Sequence, residues 1–450
     1  MKSMKLGSVA FAMMLAAVAC TPGAGTTAPR SPAASQPTSS EPVASQPTSS
    51  EPGASEPGAS QPTGEFGSVT IAEGEAIQLG TAMVVTGANE ALGLDSLYGV
   101  QVAAQLRPEV AGHPVEFNDQ DDGCSAEGGQ TAARALASDP QIVAVIGTSC
   151  SSAGVPAAEI LSDAGIVLIS SSNTAPSLTA PDTHEPFYLR TAHNDTIQGE
   201  AMARFACEEL EVTTAATIHD GSPYAQQLQQ VFADQFVELC DGTITAQEAI
   251  NVGDTDFRPL LTSIAADSPE FLYFPIFVAE GGLMTSQARE TTGLEDTLLA
   301  GSDGIFTPDF LDAAGGAAEE MYLSGPDLEY EGGLYADEFL PAYSEISGED
   351  APISVFHAHA FDATNMVFDA IEAVGVEGED GSLTIDRQAL RDELFATSGY
   401  EGITGTLTCN ETGDCADAQI SVSQVQDDAF VRIWPEGASP DPSASPEPSE

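Results

Sequence analysis

Apolar runs in this chain end repeatedly in clusters of hydroxyl and acid groups. Ile142–Gly147 leads into Thr148-Ser149-Cys150-Ser151-Ser152, and the next apolar run ends in Ser170-Ser171-Ser172-Asn173-Thr174. Hydroxyls at a helix start, backed by the free N–H groups there, suit an anion or a carboxylate. The plainer account is helix capping, which uses the same residue types. Two such mouths on consecutive strands bring a binding site level with it. Gly301-Ser302-Asp303-Gly304 adds an acid that can meet a cation or simply make an Asp-Gly turn. His219-Asp220-Gly221-Ser222-Pro223-Tyr224 sets an aromatic at a helix start. Cys150 beside Ser151 suggests a nucleophile, but a nucleophile needs a base within reach. The sequence also has no G-x-S-x-G elbow.

The elements that must hold these mouths alternate. Pro114–Phe117 reads as a strand, Gly128–Ala137 as a helix, Ile142–Gly147 as a buried strand, Ala153–Ala164 as a helix and Ile166–Ser170 as a buried strand. Thr196–Glu211 is helical, Ala215–His219 a strand and Tyr224–Glu238 a helix. Strands follow at Phe271–Phe274 and Thr297–Ala300, with a helix at Gly281–Thr292 between them. This rhythm predicts an α/β fold with parallel sheets covered by helices. In such sheets ligands bind beyond the carboxyl ends of the strands, where the mouths lie. The roughly 370 residues between the two low-complexity ends suit two lobes better than one core.

Composition sets the compartment. Lys2 and Lys5 are the only lysines, and Met1–Cys20 reads as a lipoprotein signal peptide with a short apolar stretch. Ala17-Val18-Ala19-Cys20 resembles a lipobox, which would leave Cys20 as a lipid anchor. An ordinary secretory signal with an incidental Cys is the bland alternative. Residues 21–67 repeat Pro, Ser, Thr and Glu and read as a disordered linker, and residues 437–450 as a disordered tail. The formal charge of −57 argues against nucleic acid and anionic lipid as partners. With Cys20 set aside, six cysteines permit three disulfides in an oxidising compartment, with 15 connectivities open. Cys409 and Cys415 are close enough to staple a turn. No C-x-x-C pair or zinc-like spacing occurs, so no metal site and no cofactor is expected.

Val-Ile-Gly-Thr-Ser-Cys-Ser-Ser at 145–152, Ile-Ser-Ser-Ser-Asn-Thr at 169–174, Arg-Thr-Ala-His-Asn-Asp at 190–195, His-Asp-Gly-Ser-Pro-Tyr at 219–224 and Gly-Ser-Asp-Gly at 301–304 occur in order. Thr-Gly-Ala-Asn-Glu-Ala-Leu-Gly at 86–93 precedes them, and Phe-Asp-Ala follows at 361–363. Together, over about residues 80–435, they resemble the type I periplasmic solute-binding proteins of ABC transporters, in the leucine/isoleucine/valine-binding branch. The resemblance implies two Rossmann-like lobes joined by a three-strand hinge. Lobe one would take 68–194 and 327–405, and lobe two 195–326 and 406–436. It implies that an amino-acid ligand is held by Ser151, Ser152, Asn173 and Thr174 from one side and by Tyr224 and Asp303 from the other. Ser151 would hold the α-carboxylate, and Asp303 would pair with the ammonium. Leu92 matches a ligand-facing aromatic position, Phe277 or Val278 a tyrosine position, and Asp195 an acid at the first lobe crossing. Asp303 is one methylene shorter than the family's Glu. The resemblance also implies a Cys124–Cys150 bridge, leaving Cys207–Cys240 and Cys409–Cys415 as the other pairs. It implies a monomeric capture protein that delivers its ligand to permease subunits while a lipid on Cys20 tethers it to the membrane. Feeding a membrane receptor is the rival use, and amides or urea are rival ligands.

Other patterns carry less. Asn118-Asp119-Gln120-Asp121-Asp122-Gly123 lacks the ligand spacing of a calcium loop and reads as a turn before Cys124. His357 and His359 fall on different helix faces. Asn194-Asp195-Thr196 and Asn410-Glu411-Thr412 match a glycosylation pattern that bacterial lipoproteins rarely use. Val69–Ile77 reads as an added strand or hairpin.

Overall fold

The computed structural model describes residues 64–330 and 332–435. Cys20, the leader, the linker up to residue 63 and the tail from residue 436 lie outside the described residues.

Two sheets organise the chain. The first has six strands in the order Glu109–Val110, His113–Asp121, Ile77–Met83, Ile142–Gly147, Val167–Ser170, Tyr188–Arg190. All neighbours in it are parallel except the short first pair. The second has seven, in the order Ala429–Trp434, Ile420–Gln426, Tyr322–Pro326, Leu298–Ser302, Phe271–Tyr273, Thr214–His219, Thr243–Ala249. Its last five run parallel, and the two C-terminal strands add antiparallel at one edge. Parallel neighbours need helical crossovers, and these bury both sheet faces. Ile142–Gly147 is accordingly buried at every residue and apolar throughout, with no alternation.

Helices flank the sheets where the sequence placed them. Ala126–Ala137 starts at Ser125, whose side chain accepts the Gly128 N–H. Pro223–Cys240 starts at Ser222, which caps the Ala225 N–H, and Pro223 occupies the first helical position. In the second lobe Phe232, Phe236, Phe271 and Tyr273 are fully buried together. Each such ring stabilises by about 1.5–3 kcal/mol through the water it sheds.

The added N-terminal segment is a strand, not a hairpin. Ser68–Ile71 pairs antiparallel with Leu383–Asp386, and Val69 and Ile71 join the core of the first sheet. The expected linker therefore ends earlier than residue 67. The Phe66 ring meets Phe187 edge-on at 4.7 Å, and the Gly64 N–H donates to Asp386.

Three segments pass between the sheets, at 190–195, 326–330 and 407–420. The buried guanidinium of Arg190 ties two of them: it pairs with Asp414 and donates to the carbonyls of Asn173 and Ala175. Disulfides join Cys124–Cys150, Cys207–Cys240 and Cys409–Cys415. No described helix is long and apolar enough to cross a membrane.

Candidate functional site

The carboxyl ends of both sheets face one narrow chamber. From the first sheet it is lined by Leu92, Ser149, Cys150, Ser151 and Ser172; from the second, by Tyr224, Phe277 and Asp303.

The anion side is built by the turn after Ile142–Gly147. The helix Ser151–Asp163 begins with Cys150 in extended conformation as its cap residue. No side chain caps this helix, so its first N–H groups and about half a positive charge remain for a ligand. Three contacts fix the turn from behind. Asp122 Oδ2 accepts the Ser149 N–H at 2.7 Å, Ser149 Oγ accepts the Val84 N–H at 3.0 Å, and the Cys124–Cys150 bridge closes the same junction. Burial pushes Asp122 up to about 7. Ser151 Oγ accepts the Ala175 N–H at 3.2 Å, which leaves its own proton to donate.

The second mouth is held by its neighbours and presents hydroxyls. Asn173 Nδ2 donates to Thr148 O at 2.8 Å, and Thr148 Oγ1 donates to Asn173 Oδ1 at 3.0 Å. The Oγ atoms of Ser171 and Ser172 and the Oγ1 of Thr174 are buried with no partner in the protein.

The cation side is acidic. Asp303 is 4 % exposed, and its Oδ1 accepts from Gln198 Nε2 at 2.6 Å and from the Tyr224 hydroxyl at 3.1 Å. Tyr224 also shares a bond with Ser302 Oγ and accepts the Gly304 N–H, so its hydroxyl is spent within the second sheet while its ring lines the chamber. Asp195 starts the helix Asp195–Arg204, and both its carboxyl oxygens are buried without a partner in the protein. Burial pushes Asp303 up to about 6; burial and the nearby Asp303 raise Asp195 well above the usual carboxylate range. Among the described residues no cationic side chain lines the chamber.

The remaining wall is apolar. Leu92 lies in the first turn of the helix Glu90–Leu106, and Phe277 packs against Tyr224 with ring centroids 5.3 Å apart.

The structure thus brings Leu92, Ser151, Tyr224, Phe277 and Asp303 to one chamber. Ser152 stands outside it, donating to Cys124 O at 3.0 Å, and the Asn173 side chain is spent on Thr148. Thr174 lies behind the lining, its carbonyl accepting the Asp195 N–H. Sequence reasoning passed over Ser149, Ser172 and Gln198. The two serines sat inside runs already singled out. Gln198 follows Asp195 by three positions, the spacing that puts two side chains on one helix face.

The periplasmic binding protein family pattern matches residues 76–429. The chain is 26% identical over 362 residues to a Leu/Ile/Val-binding protein homolog of Brucella melitensis, covering 79% of this chain and 93% of that protein. Among solved structures it superposes on a leucine-binding protein, LivK, of Thermotoga maritima with a TM-score of 0.71 at 24% identity, covering 80% of this chain and 98% of that one. A second is the branched-chain amino acid transporter substrate-binding protein LivJ of Streptococcus pneumoniae, solved with isoleucine, at a TM-score of 0.68 and 24% identity, covering 80% and 99%. These relatives are substrate-binding proteins and not enzymes, and their family works outside the cytoplasm. The match spans both sheets and the three passages between them, and on it this chain belongs to the periplasmic binding protein family.

Proposed function

We propose that this chain captures a small aliphatic amino acid, of the branched-chain kind, and delivers it to the permease subunits of an ABC importer. One observation carries the reading: a chamber with an uncapped helix start and free hydroxyls on one sheet, a buried Asp303 on the other, and an apolar wall between them. A zwitterion matches it pole for pole. The Ser151 hydroxyl and helix N–H groups replace the water of the carboxylate, and Asp303 with Asp195 replaces that of the ammonium. Leu92 and Phe277 meet the side chain. The lack of a lining cation disfavours acidic side chains. The similarity to the Leu/Ile/Val-binding protein homolog of Brucella melitensis supports the branched-chain choice.

The moving bodies in this reading are residues 68–194 with 327–405, and 195–326 with 406–436. Each holds one of the two large sheets. Ligand contacts come from both, so binding favours the closed arrangement. The lipobox-like sequence at Cys20 supports a membrane tether.

A thermal-shift screen of residues 64–435 against amino acids, amides and urea tests the proposal. Leucine, isoleucine or valine should raise the midpoint, by about 2.7 kcal/mol of stabilisation at a hundred times Kd. A response to amides or urea alone would replace the amino acid as ligand.

A further inference from the structure

A second, small cavity lies where the three passages between the sheets meet. His193 reaches it from the first passage, Pro326 and Tyr330 from the second, and Asp417 and Gln419 from the third. His359, on the helix His357–Val374, completes the wall. The cavity thus borders all three passages.

The chemistry of this wall is specified. Gln198 Nε2 donates to Asp303 Oδ1 at 2.6 Å and to Ser324 O at 3.1 Å, which fixes the amide orientation. Its Oε1 therefore faces His193 Nε2, so that nitrogen carries the proton. His193 Nδ1 is left as a bare acceptor, and it has no partner in the protein. Tyr330 Oη and His359 Nδ1 are likewise buried without one. His193 and His359 are 1 % and 6 % exposed, and burial holds both neutral, near about 4 and about 3. The carboxylate of Asp417, itself exposed, adds an acceptor, and among the described residues no Lys or Arg lines the cavity. Among the described residues no group of three His, Cys or acidic side chains is placed to hold a metal ion.

We propose that this hinge cavity is an accessory site for an ammonium-type cation, either the ammonium ion or the NH₃⁺ end of a small primary amine, and that its occupant biases the angle between the lobes. A compact cation with N–H donors on all sides satisfies His193 Nδ1, His359 Nδ1 and Tyr330 Oη together. The Gln198 bond links the same site to Asp303 in the chamber. The effect on lobe angle rests on the hinge reading above; the binding does not.

The test uses the wild-type protein, with Asp303→Asn as a comparison in which that carboxylate is gone from the chamber. With ¹⁵N-labelled imidazoles, ammonium chloride should shift the His193 Nδ1 resonance saturably, and methylammonium chloride does so only if the site admits an amine. His359→Phe and Tyr330→Phe should weaken or abolish that response while the folded spectrum persists. Small-angle scattering of the wild-type protein should then show a changed lobe angle with ammonium. An unshifted His193, or an equal shift with potassium chloride, overturns the site and leaves ordered water as its content. A saturable shift with unchanged scattering overturns the hinge effect alone. Failure of the wild-type chain to bind any amino acid would strike the proposed function and leave the NMR result standing.

Discussion

The charge of Asp303 opposes ionisation of Asp195, and both carboxyls are buried. Neither has a cationic side chain bonded to it, and the Asp195 oxygens accept no hydrogen bond from the protein. In the proposed function, a ligand ammonium would supply the positive charge that this pair lacks.

Replacing Asp303 with Ala should therefore weaken amino-acid binding by about 3–5 kcal/mol, since a buried ammonium would lose its partner. Calorimetry measures this directly. Ser151→Ala should cost less, because the helix N–H groups remain. Affinity within tenfold of wild type in the Asp303 variant would take that residue out of the site.

The ligand-free protein should lose stability as pH rises from about 4 to about 6. Asp303 keeps its proton up to about 6 when folded, against about 3.9 in an unfolded chain. In that window the folded state binds a proton that the unfolded state has released. Stability then falls with rising pH, by about 1.4 kcal/mol per unit for a single group. Asp195 is shifted the same way and adds to the trend. Denaturant melts across the range, compared with Asp303→Asn, isolate the contribution. An identical slope in the variant would mean that Asp303 does not supply it.

Cutting Cys124–Cys150, by changing both residues to Ala, should lower stability by about 2–4 kcal/mol. It should also weaken ligand binding, because the bridge closes the junction behind Ser151. The Cys409–Cys415 pair is only 6 residues apart in sequence. Its removal should cost less, since a shorter loop restricts the unfolded chain less. Urea midpoints of the two variants order these effects; a larger loss at Cys409–Cys415 would contradict the ranking.

Gly154 lies one turn into the helix that starts the anion side, and a Cβ there would meet Asn173 Oδ1 at 2.2 Å. Gly154→Ala should push Asn173 off Thr148 and destabilise the fold by about 1–3 kcal/mol. Binding should weaken as well, because the Asn173–Thr148 bonds lock one mouth to the other. A melt and a titration on the same sample check both effects.

Much of this was readable beforehand where the signal was local. The mouths at 148–152 and 170–174 announce themselves by composition, and the βα alternation fixes which sheet ends they occupy. The boundary near residue 67 misled because Phe66 is a lone aromatic beside a low-complexity run, and its partner Phe187 is far along the chain. The supporting residues were hidden for the same reason. Gln198 meets Asp303 across 105 positions, and Arg190 meets Asp414 across 224. Nothing near either residue in sequence marks such a partner. Ser152 reads like its neighbour Ser151 but occupies the next position on a helix, about 100° around the axis, and turns to Cys124.

The strand Ser68–Ile71 is stitched to Leu383–Asp386 and shares the hydrophobic core of the first sheet. The described chain thus enters through the body built on the first sheet. In the reading proposed above, a tether on that side would leave the body that carries Asp303 free to close on a ligand.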